Sequence, residues 1–226
     1  MSKKKVSKAL PIVAIVFYGV SLILFIVKTV FMVSYGAMNG YAFSTILMTQ
    51  SFRTIVFALP PIFFIIYAAQ ILKRKKAKVM LTVALALQAT GAAYFGTRIA
   101  INNRDWGQLL GKENAFILCF AALFVCCVVG LILTLGGKKA AVPIIIAAIA
   151  GFGVAIVLFV WNGKFMLNNS AYYTAHIVEM TVRLIAYTVY TVALIFDFTA
   201  LILVSFIKER EKKVTVKMKA KSPEAE

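Results

Sequence analysis

A chain of 226 residues that is 62% hydrophobic, with mean hydropathy +0.91, is too apolar for an ordinary water-soluble domain, which is roughly half apolar. Its net charge of +17 would suggest nucleic acid in a soluble protein, but here lysine and arginine sit between apolar blocks and at the ends, as in a membrane protein, so no nucleic-acid partner is expected. The three cysteines, Cys119, Cys126 and Cys127, share one apolar block and the only histidine is His176, which argues against a disulfide framework and against a metal site.

The chain opens on a basic segment, MSKKKVSK, at 1–8. The apolar run from Ala9 is too long for a signal-peptide core and no small-x-small cleavage site follows it. It reads as a first membrane helix over about 9–30, close to the roughly 20 residues a crossing needs. Further spans are expected at 54–72, 79–97, 115–136, 140–161 and 184–207. The fold class is therefore an all-α integral membrane protein, with one membrane domain over 9–207 made of six helices in three antiparallel hairpins. The segment from 208 to 226 is basic, closes on SPEAE, and is expected to be disordered and drawn to anionic lipid headgroups at about 1 kcal/mol per charge.

Alternate connections carry the positive charge. The amino terminus, the turns at 73–78 and 137–139 and the tail hold eighteen lysines and arginines, against seven on the other side. Basic residues are enriched in cytoplasmic loops, so both ends are expected in the cytoplasm of a multi-pass plasma (inner) membrane protein. The first outer connection, SYGAMNGYAFSTILMTQSF, is too apolar for a solvated loop. Either the second helix extends outward through it or it folds back onto the outer face. LFIVKTVFMVS from Leu24 resembles LFVWNGKFMLN from Leu158, a weak sign of repeated hairpins, which recur in transport folds.

Several residues carry candidate chemistry. Pro60 and Pro61 fall within the second span and predict a kink or break, because proline removes a donor and clashes with the preceding turn. Ala147, Gly151 and Ala155 are spaced by four, as are Ala86, Thr90 and, one turn apart, Ala89 and Ala93; such small-residue faces let helices approach closely, within the chain or against a second copy. At the outer end of helix six, His176, Glu179 and Arg183 share one face that Tyr187 and Tyr190 continue inward. That face reads as an interfacial ion pair between Glu179 and Arg183, or as the rim of an outward-facing solute site. Lys28, Arg53 and Arg98 are expected at the same depth, which makes the rim electropositive and attractive to an anion.

Asp197 is the one acid inside the six spans. Counting back from Lys208 puts it roughly 16 Å deep, near the bilayer centre, where an acid must face the protein interior or a cavity. With Tyr190 on its own helix and Gln88 and Thr90 at a similar depth on helix three, it outlines an intramembrane polar site. There it either hydrogen-bonds two helices together as a neutral acid or couples a proton or cation.

No zinc-protease, nucleophile-elbow, phosphate-loop or potassium-filter motif is present, so neither an enzyme nor a cofactor is expected. Two functions fit: a small permease or solute-binding membrane subunit of a transporter, or a non-catalytic accessory or scaffold protein that assembles with membrane partners. The partners to be expected are the lipid bilayer and a membrane protein or second copy of the chain.

Overall fold

The computed structural model describes residues 8–73, 77–102, 112–168 and 176–207. The basic amino terminus, turn residues 74–76 and the tail from 208 lie outside the described residues. The described chain forms six helices: α1 (Ala9–Met38), α2 (Phe43–Leu72), α3 (Lys78–Asn102), α4 (Lys112–Leu135), α5 (Ala141–Asn168) and α6 (Ile177–Ser205). Each contains a segment long and apolar enough to cross a membrane. A helix satisfies its own backbone donors and acceptors, which hydrocarbon cannot do, and this is why long apolar blocks take this form.

The helices run further than the membrane-length segments legible in the sequence. α1 continues to Met38, and α2 begins at Phe43, eleven residues before 54. The apolar first connection is thus mostly helix, as its composition required, with only residues 39–42 left to turn the chain. α6 likewise starts at Ile177, seven residues before 184. α2 runs unbroken through Pro60 and Pro61, both fully buried, so the prolines do not divide the helix.

Each helix packs on its neighbours in the chain, and α6 returns to pack on α1, closing a circuit; α2 also touches α6. The broadest of these contacts joins α1 to α6. On α1 the buried residues Pro11, Ala14, Tyr18, Ser21, Phe25 and Lys28 alternate in steps of three and four, the spacing of a helix seam. Along α1 and α2, Tyr18 meets Phe64, Phe25 meets Phe57, and Gly36 lies against Ile46. Along α1 and α6, Phe17 meets Phe196, Phe25 meets Tyr190, and Tyr35 meets Arg183. The interior of the circuit is filled by Tyr18, Phe25, Phe64, Tyr67, Leu85, Leu194 and Phe198. Outward faces are apolar too: Ile12, Val16, Ile23, Ile26 and Val30 of α1 are all exposed, the surface that lipid would cover.

Two local devices set the packing. At the end of α4, Gly137 takes φ +70°, and Lys138 N–H donates to the Leu133 carbonyl at 2.8 Å, a helix ending that needs a residue tolerant of left-handed backbone. Lys78 Nζ, at the start of α3, donates to the Leu135 carbonyl at 2.9 Å, placing a cation at the negative end of α4. The second device is the small-residue face of α5. Ala147, Gly151 and Ala155 are buried within the chain, and the ring of Phe198 occupies the space a side chain on Gly151 would need. On α3, Ala89 is buried while Thr90 is exposed.

Candidate functional site

Helix rise orders the polar residues into layers, measured from the end of the bundle that holds the α2–α3 and α4–α5 turns. Asp197, Tyr18 and Cys127 lie about 12–14 Å from that end, with Ser21 about a turn further. Phe25, Phe57, Phe95, Phe120 and Tyr190 lie at about 22–26 Å. Lys28, Arg53, Arg98 and Arg183 lie at about 28–33 Å.

The middle layer is a continuous sheet of rings. Phe25 sits 6.0 Å from Phe57 and 6.1 Å from Tyr190, and Phe57 lies 5.5 Å from Tyr190. Phe57 stacks on Phe95 at 4.3 Å, and Phe95 in turn lies 6.1 Å from Phe120. These offset and edge-on contacts join α1, α2, α3, α4 and α6 across the bundle, and each is worth about 0.5–1.5 kcal/mol beyond its area.

Above the rings stands the cationic cluster. Lys28 on α1 is only 8% exposed, yet it is a charged group inside a membrane span. Its Nζ donates to Gln50 Oε1 at 3.2 Å and lies 5.2 Å from the centre of the Tyr190 ring. Arg53 on α2 is close enough to interact electrostatically with Lys28, Arg98, Tyr94, Tyr187 and Tyr190, and its buried Nε has no hydrogen-bond acceptor among the described residues. Arg98 on α3 donates to the Tyr94 hydroxyl at 3.3 Å. Arg183 lies over the rings of Tyr35 and Tyr187, at 5.9 and 5.6 Å. Among the described residues, Lys28, Arg53 and Arg98 form no ion pair. Lys28 and Arg98 thus each lie within electrostatic reach of Arg53. Tyr187, on the face of α6 that the spacing had marked, joins them, as do Gln50 and Tyr94, which no depth count singles out.

Glu179 does not pair with Arg183. It faces His176 instead, at 3.9 Å, on the exposed start of α6. Two groups this open to solvent contribute little. His176 and Glu179 thus sit above the cluster, and Arg183 is held by rings.

Below the rings, Asp197 is 4% exposed and its Oδ1 has no hydrogen-bond partner among the described residues. The expected bond to helix three is not formed. Thr90 is exposed and bonded to the Ala86 carbonyl of its own helix at 2.9 Å, and α3 and α6 share no packing contact. Gln88 is buried elsewhere, in a small crevice between α2, α3 and α4 lined also by Phe57, Pro60 and Gly91. Tyr18 and Cys127, at the level of Asp197, and Tyr190, about two turns further along α6, lie within its electrostatic reach. The hydroxyls of Tyr18 and Ser21 are also buried without partners. Three orphaned polar atoms within about a turn of one another in a membrane bundle are costly, about 1–3 kcal/mol each, and such groups are retained where function needs them.

An open groove of about 740 Å³ runs between the far halves of α2 and α3, lined by Thr45, Met48, Thr49, Phe52, Tyr94 and Arg98. It carries the Arg98 end of the cationic cluster to the surface of the bundle. No cluster of histidine, cysteine or acidic side chains suited to a metal occurs among the described residues. Comparison of the chain with protein-family models, with curated proteins and with solved structures finds no match.

Proposed function

We propose that the protein is a small permease, or the solute-binding membrane subunit of a transporter, in the plasma membrane. The observation that supports this reading is the stacked order of cations, rings and acid through the bundle. Charged groups are kept inside membrane spans chiefly where they meet a solute, an ion or one another, and Lys28, Arg53 and Arg98 meet no acid among the described residues. The cationic layer would receive the solute, the ring layer would close the path beneath it, and Asp197 would couple the opening of that layer to a proton or cation. The test is flux. Purified protein reconstituted in liposomes is expected to move at least one of labelled phosphate, sulfate, acetate or glycine faster than protein-free liposomes do. The competing reading, an accessory protein that moves nothing, draws on the groove between α2 and α3 as a seat for a partner. It would be preferred if no probe moves and the protein leaves native membranes only in a stoichiometric complex.

We further propose three antiparallel hairpins with both ends cytoplasmic. The eighteen-to-seven split of basic residues supports this orientation, and rising residue numbers on α1 meet falling ones on α2. In a background without native cysteines, Lys138→Cys should resist an impermeant maleimide in intact cells while Asn39→Cys reacts; both positions are exposed. The reverse pattern would invert the topology, and equal labelling would break it.

A further inference from the structure

Resting on the reading of the cationic layer as a solute site, we infer that Lys28, Arg53 and Arg98 form a binding site for an oxyanion, a phosphate or carboxylate group. Removing a cation from water without a counter-charge is strongly unfavourable, and placing like charges beside it adds to that. Here Lys28 is buried within a span, Arg53 lies within Coulombic reach of both Lys28 and Arg98, and none of the three has an acid partner among the described residues. Gln50 and the Tyr190 ring hold the ammonium in place without neutralising it. An anion seated among the three supplies the missing charge.

The chemistry of the donors narrows the class. A guanidinium presents a planar fork that matches the two oxygens of a carboxylate or phosphate, and an ammonium adds a point charge. Among the described residues the buried Nε of Arg53 is a donor with no acceptor, and Arg98 donates only to the Tyr94 hydroxyl, a neutral partner. Access is through the α2–α3 groove, where Thr45 and Thr49 add hydroxyls beside Arg98, with Met48 and Phe52 along the same wall. That mixed lining admits a free oxyanion from water and equally the headgroup of an anionic lipid, whose chains would follow the apolar wall. The shared chemistry is the oxyanion.

The experiment uses the purified full chain in a neutral detergent. Thermal stability is measured with inorganic phosphate, with acetate, and with chloride at matched ionic strength; binding of phosphatidylglycerol against phosphatidylcholine is measured by native mass spectrometry. At least one of phosphate, acetate and phosphatidylglycerol is expected to bind in preference to its control. Arg53→Gln and Arg98→Gln should each weaken that binding about tenfold or more, the effect of losing one charged hydrogen bond. Lys138→Gln, remote from the cluster, should leave it unchanged. Stabilisation by phosphate or acetate identifies a free anion, and selective retention of phosphatidylglycerol identifies a lipid; either supports the site. No preference for any of the three, or undiminished binding by both arginine variants, overturns it. Should Arg53→Gln fail to fold, Arg98→Gln decides, because Arg98 lines the open groove. Oxyanion binding without flux leaves this site standing and removes the permease reading. Flux of glycine without oxyanion binding does the opposite.

Discussion

Gly151→Ala is expected to leave little folded protein, although alanine is the better helix former. The propensity gain is about 1 kcal/mol. Against it stands a methyl group that would overlap the ring of Phe198, which is itself fully enclosed between α5 and α6. Overpacking a dense interior costs typically about 1–3 kcal/mol, and more where backbone and ring both have nowhere to move. The clash wins, and the α5–α6 contact opens. The pair provides its own control. Phe198→Leu alone should be destabilising because it leaves a void. Combined with Gly151→Ala it should recover stability, with a coupling of about 1 kcal/mol or more in the restoring direction. Size-exclusion profiles and thermal midpoints in detergent measure all four proteins. A Gly151→Ala protein as stable as the wild type, or strictly additive effects, would mean that α5 and α6 do not meet here.

The second large effect separates stability from activity. Asp197→Asn is expected to express and fold at least as well as the wild type while solute flux falls about tenfold or more, within the range of coupling free energies between sites. The stability half follows from geometry. Asp197 Oδ1 accepts no hydrogen bond from the described residues, so the substitution breaks none there, and it removes a group able to carry a buried charge. The flux half follows from the proposed coupling role, since asparagine keeps the shape and cannot exchange a proton. Flux equal to the wild type would end that role and leave Asp197 as an interior polar residue. Loss of folding would mean that the carboxyl holds α6 to its neighbours after all.

Fold class was legible because apolar blocks of membrane length leave few alternatives. Helix ends were less so. Hydropathy falls across FSTILMTQSFR, and a reading based on apolar content stops at Thr54, but Gln50 and Arg53 there point inward against Lys28 and the tyrosines while the backbone stays helical. The cations were found by depth alone. Depth fails for Asp197, because counting residues along a helix gives a level and not a direction. Gln88 shares roughly that level but faces α2 and α4. Tyr18 and Ser21, on the helix that packs against α6, went unread, although the step of three and four from Pro11 to Lys28 marks them as one inward stripe. That stripe was hidden because α1 is apolar on its other faces as well, so no polar side contrasts with it.

The closed circuit of helices has a consequence for how the chain is made. Each helix from α2 onward can dock on the one that emerged before it, so most of the bundle assembles from contacts close in sequence, the kind that form readily. α1 is the exception. Its broadest partner is α6, the last of the six described helices to leave the ribosome. Until then one flank of the stripe that holds Tyr18, Ser21 and Lys28 faces lipid, without Tyr190 over the lysine or Phe196 beside Phe17. Until α6 arrives the nascent chain therefore carries a charged, half-wrapped helix, and Lys28 waits for the last of the six to gain its ring contact.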